Sequence, residues 1–242
     1  MVLKNQQLPL QIKVCGLSST RNIKEVSNLS VDMIGFVFSP KSSRFIRLQP
    51  SGAGLLPDYA KPHHDTLLKQ PTQTSQQPKR VGVFTKAMPQ QIITYIYNYQ
   101  LDYVQFDGDV SPMLIDNLRR SIIPDIRPNL HFIKTIYVAD EVDVINSQQY
   151  EGHADMLLFD AKSNQGGSID EPFNWNILHA YHGKLPFLLS GGIGPNDVTA
   201  LHQFYHPQCF GININRKFET IPFQKDIQLL QKFISEFQKR EV

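Results

Sequence analysis

Eight short apolar runs alternate with helix-periodic segments along 242 residues, and together they predict an α/β protein, a single-domain (β/α)8 TIM barrel. Three observations carry that prediction. The runs are rich in Val, Ile, Leu and Phe and mostly close on Gly, Ser, Asp or Pro, as strands buried on both faces of a parallel sheet do. The length suits a barrel of eight strand-helix units. The early glycine fingerprint of a doubly wound open sheet is missing, and the best glycine pair, Gly191 and Gly192, follows the seventh run instead.

Taken in order, strands are expected over 11–16, 33–38, 80–84, 103–106, 131–137, 156–159, 186–190 and 210–214. Helical spacing occupies 89–99, 111–120, 140–149, 195–204 and 223–240. Several of these segments open on a start signal: Pro112 behind Ser111, Asp140, and Pro195 at a first-turn position. The polar stretch 61–80, KPHHDTLLKQPTQTSQQPKR, breaks the rhythm. Its Gln, Thr and Pro content predicts an extended connection ahead of the third strand, not a domain boundary. No internal repeat is evident.

Composition bounds the function. The chain is 41% hydrophobic and 19% charged, with 24 basic against 22 acidic residues and a net charge of +2. No long block of one sign calls for a nucleic acid or a membrane surface, which leaves room for a locally positive pocket that takes a phosphorylated metabolite. The two cysteines, Cys15 and Cys209, lie too far apart in sequence for a metal pattern or a secreted disulfide framework. The N-terminus lacks the apolar core of a signal peptide, and a cytoplasmic protein is expected, a monomer with a homodimer as the alternative. The eight histidines show no ligand spacing, so no metal is assigned.

In a barrel the chemistry gathers at the C-terminal ends of the strands. Alternation along IKVCG puts Lys13 and Cys15 on one side and Ile12 and Val14 on the other. If the apolar pair meets the outer helices, Lys13 and Cys15 point inward with the thiol at the mouth, and Lys13 is expected to touch the substrate. An ammonium nearby favours the thiolate, which suits a base or nucleophile. Read alone, an isolated cysteine more often packs than reacts. In MLLFDAK, Asp160 shares its side with Leu158, and a carboxyl there serves either as a general acid or as an ordinary strand-end cap. LLSGGIGPNDV brings Gly191 and Gly192 to a turn where backbone N–H groups can meet a phosphate. GININRK adds Asn215, Arg216 and Lys217 to the same quarter. FSPKSSRFI sets Lys41 and Arg44 behind the second strand, and an arginine fork fits a carboxylate.

KVCGLSST, IGFVFSPKSSRFI, RVGVFT, LDYVQFDGD, LLFDAK followed by GGSIDEPFNW, and PFLLSGGIGPNDV occur in the order that resembles phosphoribosylanthranilate isomerases, from Ile12 to about Asp226. The resemblance implies a (β/α)8 barrel performing an acid–base Amadori rearrangement. N-(5-phosphoribosyl)anthranilate would become 1-(2-carboxyphenylamino)-1-deoxyribulose 5-phosphate, without metal or nucleotide cofactor. It implies Cys15 as general base, Asp160 as general acid and Arg44 on the substrate carboxylate. The phosphate would lie on the Gly191–Gly192 backbone and the turn after strand eight.

Some positions depart from the family pattern. Asp107 stands where the fourth-strand motif usually has histidine, placing an acid near an anionic substrate. Asn213 replaces an aspartate, and Asn215, Arg216 and Lys217 replace small residues in the phosphate turn. Two other readings compete. One is a diverged barrel that binds a phosphosugar without turning it over, motivated by Asp107 and Asn213. The other is a neighbouring phosphate-binding barrel enzyme such as indole-glycerol-phosphate synthase, whose chemistry rests on a lysine and glutamates and not on a thiol.

Overall fold

The computed structural model describes residues 10–46, 77–123, 125–162 and 173–239. Eight parallel strands close into a barrel: β1 (Gln11–Val14), β2 (Met33–Val37), β3 (Lys79–Phe84), β4 (Tyr103–Phe106), β5 (His131–Val138), β6 (Met156–Ala161), β7 (Phe187–Leu189) and β8 (Cys209–Ile214). Closure comes from β8 pairing with β1, with Lys13 opposite Asn213. The polar stretch expected to be extended lies outside the described residues over 61–76, and its last two residues already belong to β3.

Strand parity sorts the side chains into two cores. Met33, Val81, Ile133, Met156, Leu158 and Leu188 fill the barrel interior as one cluster. Ile12, Val14, Leu157 and Phe159 face outward into the larger cluster shared with the helices. Burying a large aliphatic or aromatic side chain contributes about 1.5–3 kcal/mol, and the outer cluster holds most such residues.

The helices start where short polar side chains can take orphan N–H groups. Ser19 accepts from Asn22 N ahead of α1 (Thr20–Ser27). Pro89 opens α2 (Pro89–Tyr99). Ser111 caps α3 (Pro112–Ile122), Asp140 caps α4 (Glu141–Asn146), and Asp226 caps α6 (Ile227–Gln238). No helix among the described residues is long and apolar enough to cross a membrane.

Three local expectations change. The helix expected from Pro195 begins at Val198, as α5 (Val198–Gln203), because the Asp197 carboxylate takes Gly194 N at 2.7 Å and holds a turn. The segment expected to be helical from 223 first forms a hairpin, β9 (Glu219–Ile221) and β10 (Gln224–Lys225), with Phe223 at φ 71°. A repeat does exist, on the face opposite the strand C-termini. Asp32, Asp102 and Asp155 each immediately precede an even strand. Each carboxylate accepts the N–H of the odd strand beside it: Ile12 at 2.7 Å, Arg80 at 2.9 Å and Phe132 at 2.7 Å.

These aspartate staples fix the start of each strand pair. Asp32→Ala removes an acceptor from a buried backbone N–H, which costs about 1–3 kcal/mol. Urea unfolding is expected to show that loss while the far-UV and near-UV circular dichroism of the folded protein stay unchanged, since the staple lies at the far end of the strands from their C-terminal mouth.

Candidate active site

A cavity of about 340 Å³ opens at the C-terminal ends of the strands. Every strand, or the loop following it, contributes to its wall. Cys15 comes from the end of β1, Arg44 from the loop after β2, and Val83 and Thr85 from β3 and its end. Gln105 and Asp107 come from β4, Tyr137 from β5, Asp160 from β6, and Ser190 to Ile193 from the turn after β7. Asn213 and residues 215–217 close the circle from β8. The structure thus brings together Cys15, Arg44, Asp107, Asp160, Gly191, Gly192, Asn213, Asn215 and Arg216, as expected. Lys41 is exposed and does not line the cavity.

Lys13 is placed differently from the expectation that it touches substrate. It points inward, but it is fully buried one layer below Cys15 and is absent from the cavity wall. Its Nζ donates to Gln105 Oε1 at 2.8 Å and to Asn213 Oδ1 at 2.7 Å. Those bonds extend into a polar floor. Gln105 Nε2 donates to Thr135 Oγ1 at 3.0 Å. Asn213 Nδ2 donates to Ser190 Oγ at 2.9 Å, and Ser190 Oγ donates to Asp160 Oδ2 at 3.2 Å. Asp160 Oδ1 accepts its own following amide, Ala161 N, at 2.8 Å. Six strands therefore meet through side chains, and the last link fixes the Asp160 carboxylate. Asn213 serves this floor as an acceptor on one side and a donor on the other, which an aspartate could not do.

The thiol sits in a tight corner. Gly16, at φ +78°, leaves no room for a side chain: a Cβ there would lie 2.5 Å from Asn215 Oδ1 and 2.7 Å from Arg44 Cδ. Arg44 is thereby pressed beside Cys15. Its Nη2 donates to Glu219 Oε2 at 2.8 Å, and its guanidinium lies 5.0 Å from the centre of the Phe223 ring. Arg44 Nε is buried without a hydrogen-bond partner. Glu219 also accepts from Lys225 Nζ at 2.5 Å and from Phe223 N at 3.0 Å. Burial raises the Glu219 pKa, but the two cations and the amide outweigh it and hold the carboxyl below its ordinary range.

Across the cavity, Tyr137 donates to Asp107 Oδ1 at 2.6 Å. Burial, then the Asp107 charge, pushes the phenol far above its ordinary pKa, so Tyr137 is a proton donor to Asp107 and not an anion. Behind the same loop, Lys134 points outward from the barrel. It holds Gly108 O at 2.9 Å and contacts Thr135 O. Burial lowers the Lys134 pKa to about 8, against the pull of Asp107 and Asp109.

At the turn after β7, Gly191 and Gly192 take φ +87° and +64°. A Cβ on Gly191 would lie 2.9 Å from Ala161 N and 3.2 Å from Asp160 Oδ1, so only glycine lets this turn pack against the β6 carboxylate. Arg216 and Lys217 rim the same end. Among the described residues, no group of three His, Cys, Asp or Glu side chains could hold a metal ion.

Sequence reading gave no role to Glu219, Lys225, Tyr137 or Lys134. The side chains of Glu219, Lys134 and Tyr137 meet partners distant in sequence, Arg44, Gly108 and Asp107, and Lys225 lies in an ordinary polar stretch, so no local motif marks any of them. The motif 166–175 that follows LLFDAK lies outside the described residues through 172.

The barrel and its cavity define an enzyme of the (β/α)8 class, with its site at the strand C-termini. Solved structures agree on the fold. The phosphoribosylanthranilate isomerase of Thermotoga maritima superposes with a TM-score of 0.69 at 23% identity, covering 95% of this chain and 98% of that one. An isomerase of the same name, solved with reduced 1-(o-carboxyphenylamino)-1-deoxyribulose 5-phosphate, gives 0.68 at 21% identity. The chain belongs to the N-(5'-phosphoribosyl)anthranilate isomerase family, whose model matches residues 57–236. The isomerase of Parabacteroides distasonis is 35% identical over 93% of this chain and 92% of its own length. That of Phocaeicola vulgatus is 33% identical over 95% and 98%.

Two tests follow from this geometry. Lys13→Met strands the Gln105 and Asn213 carbonyls, at about 1–3 kcal/mol for each. Denaturant unfolding is expected to show that loss, together with a fall in kcat as the Asp160 linkage slackens. Lys134 gives a pH signature. Below about 8 the lysine is protonated in both folded and unfolded states, so its contribution to stability is constant. Between about 8 and its ordinary value of 10.5 the folded state loses that proton first, so stability rises with pH. The stability of wild type minus that of Lys134→Met is expected to rise across this window and to stay flat below it.

Proposed function

We propose that the chain converts N-(5-phosphoribosyl)anthranilate to 1-(2-carboxyphenylamino)-1-deoxyribulose 5-phosphate, with Cys15 as general base and Asp160 as general acid. The observation that carries the residue assignment is that both side chains line one cavity, on strands three apart around the barrel. The family membership supports the reaction.

The substrate is an anion at both ends, and the cavity offers a cation at two separate places. Arg44 would hold the anthranilate carboxylate. The glycine turn after β7, with Arg216 and Lys217 above it, would hold the phosphate, and the rim cations replace the smaller residues expected there. Held at both ends, the ribose spans the cavity between thiol and carboxyl. Asp160 gives a proton to the ring oxygen; the C1′–O bond breaks as the nitrogen lone pair forms C1′=N. Cys15 then takes the C2′ proton, and the electron pair left behind gives an enolamine. Ketonisation moves the enol proton to C1′ and yields the ketose.

The two replaced positions favour turnover over a binding-only barrel. Asn213 is fully used in the floor beneath the site, and Asp107 is tied to Tyr137, which disperses its charge. The expected oligomeric state is a monomer, tested by light scattering of the purified chain.

Loss of the substrate's anthranilate-type fluorescence measures turnover directly. Cys15→Ser and Asp160→Asn are each expected to lower kcat by about 10²–10⁴-fold, the usual worth of a positioned acid or base. Their circular dichroism should match wild type. Full turnover in either variant removes the role assigned to that residue.

A further inference from the structure

Cys15 works only as a thiolate, and nothing in its own strand supplies the counter-charge. Lys13, the cation two residues earlier, is committed to Gln105 and Asn213 in the floor. Asp160, across the cavity on β6, is the assigned acid and brings no cation to the thiol. Among the described residues, the buried charged groups in this corner are Arg44, Glu219 and Lys225, with Arg216 and Lys217 on the exposed rim. The buried groups add up to one excess positive charge.

Lys225 is built into that corner from two directions. Its backbone is clamped to α1: Lys225 N donates to Asn22 Oδ1 at 2.8 Å, and Asn22 Nδ2 donates to Lys225 O at 3.0 Å. Asn22 is itself fully buried, on the helix that follows Cys15. The Lys225 side chain, with no exposed surface, then runs inward to Asn215 O at 3.1 Å, Asn215 Oδ1 at 2.7 Å and Glu219 Oε1 at 2.5 Å. Asn215 Oδ1 is the atom that a Cβ on Gly16 would strike. The ammonium and its ligands therefore lie against the Cys15–Gly16 backbone. The Lys225 side chain has no exposed surface there, so its charge acts on its neighbours more strongly than a surface charge would.

We propose that Lys225 is a positioning residue for catalysis: a buried ammonium, held by Asn215 and Glu219, that supplies the counter-charge for the Cys15 thiolate. Glu219 is the other half of the device. Bridging Arg44 and Lys225, it fixes both cations and leaves the corner one positive charge in excess, which the sulfur anion neutralises. Burial lowers the Lys225 pKa, and the charges of Glu219 and of the Cys15 thiolate both oppose that shift, while Arg44 adds to it.

The inference rests on Cys15 being the base, and alkylation separates the two claims. In a Cys209→Ser background, iodoacetamide can label only Cys15. Complete carboxamidomethylation of that protein with full turnover retained would overturn the base assignment itself. If turnover is lost, the rate of labelling at fixed pH reports the thiolate. Lys225→Met is expected to slow labelling by about tenfold or more, because less of the sulfur is then present as the reactive thiolate. It should lower kcat by a similar factor and leave KM within about twofold. Lys225→Arg should restore most of both. Glu219→Gln, which adds positive charge to the corner, should speed labelling, and it tests the proposal even if Lys225→Met fails to fold. Wild-type labelling rates in folded Lys225→Met, or unchanged or slower labelling in Glu219→Gln, would overturn it.

Discussion

The Lys13 ammonium on the barrel axis is the constraint from which the site is built. A charge buried this deeply is tolerated only when its hydrogen bonds are satisfied, and here two amide oxygens satisfy it from opposite sides. Those amides must be oriented with their carbonyls toward the ammonium, so their NH2 groups point away, toward Thr135 and Ser190. Ser190 then has its proton to give to Asp160. The rotamer of the acid at the mouth is thereby decided by a cation that never meets the substrate.

A second layer stands on this floor. Gly16 lets Arg44 and Asn215 approach the thiol, and Glu219 ties Arg44 to Lys225. The two layers are linked through β8, which sends Asn213 down to the floor and Asn215 up to the rim. Substrate specificity and thiol chemistry are thus coupled through one carboxylate, because the same Glu219 orients the guanidinium expected to bind the substrate carboxylate.

Much of this was legible in the sequence. All eight strands are found close to their expected positions, because a strand buried on both faces is a short, dense apolar run between turn residues. Parity along IKVC and LLFD put Lys13 with Cys15, and Asp160 with Leu158, on one side each, and the apolar residues opposite, facing the helices, make that side the inward one. Parity does not give height, however. Lys13 and Cys15 share a direction and lie one layer apart, so the lysine became floor and not wall. Assigning base and acid to Cys15 and Asp160 came from the family resemblance, not from the pattern. Lys225 was hidden because β10 occupies the start of a segment whose helical spacing is genuine only beyond Asp226, and Glu219 because its partners Arg44 and Lys225 meet it only in the folded hairpin. The aspartate staples escaped notice because one acid before a strand looks like any loop residue until its distant backbone partner is known.

Those staples divide the barrel in a way the strand count does not show. Each joins an odd strand to the even strand that follows, so β1–β2, β3–β4 and β5–β6 are closed pairs carrying the same device. In β7–β8 the corresponding tie is a backbone bond, Phe187 N to Gln208 O, with no acid involved. New termini opened between two pairs would leave every staple whole, whereas a cut inside a pair would sever one from its strand. The molecule is therefore modular by twos, and the chain's natural points of rearrangement follow from three carboxylates that take no part in its chemistry.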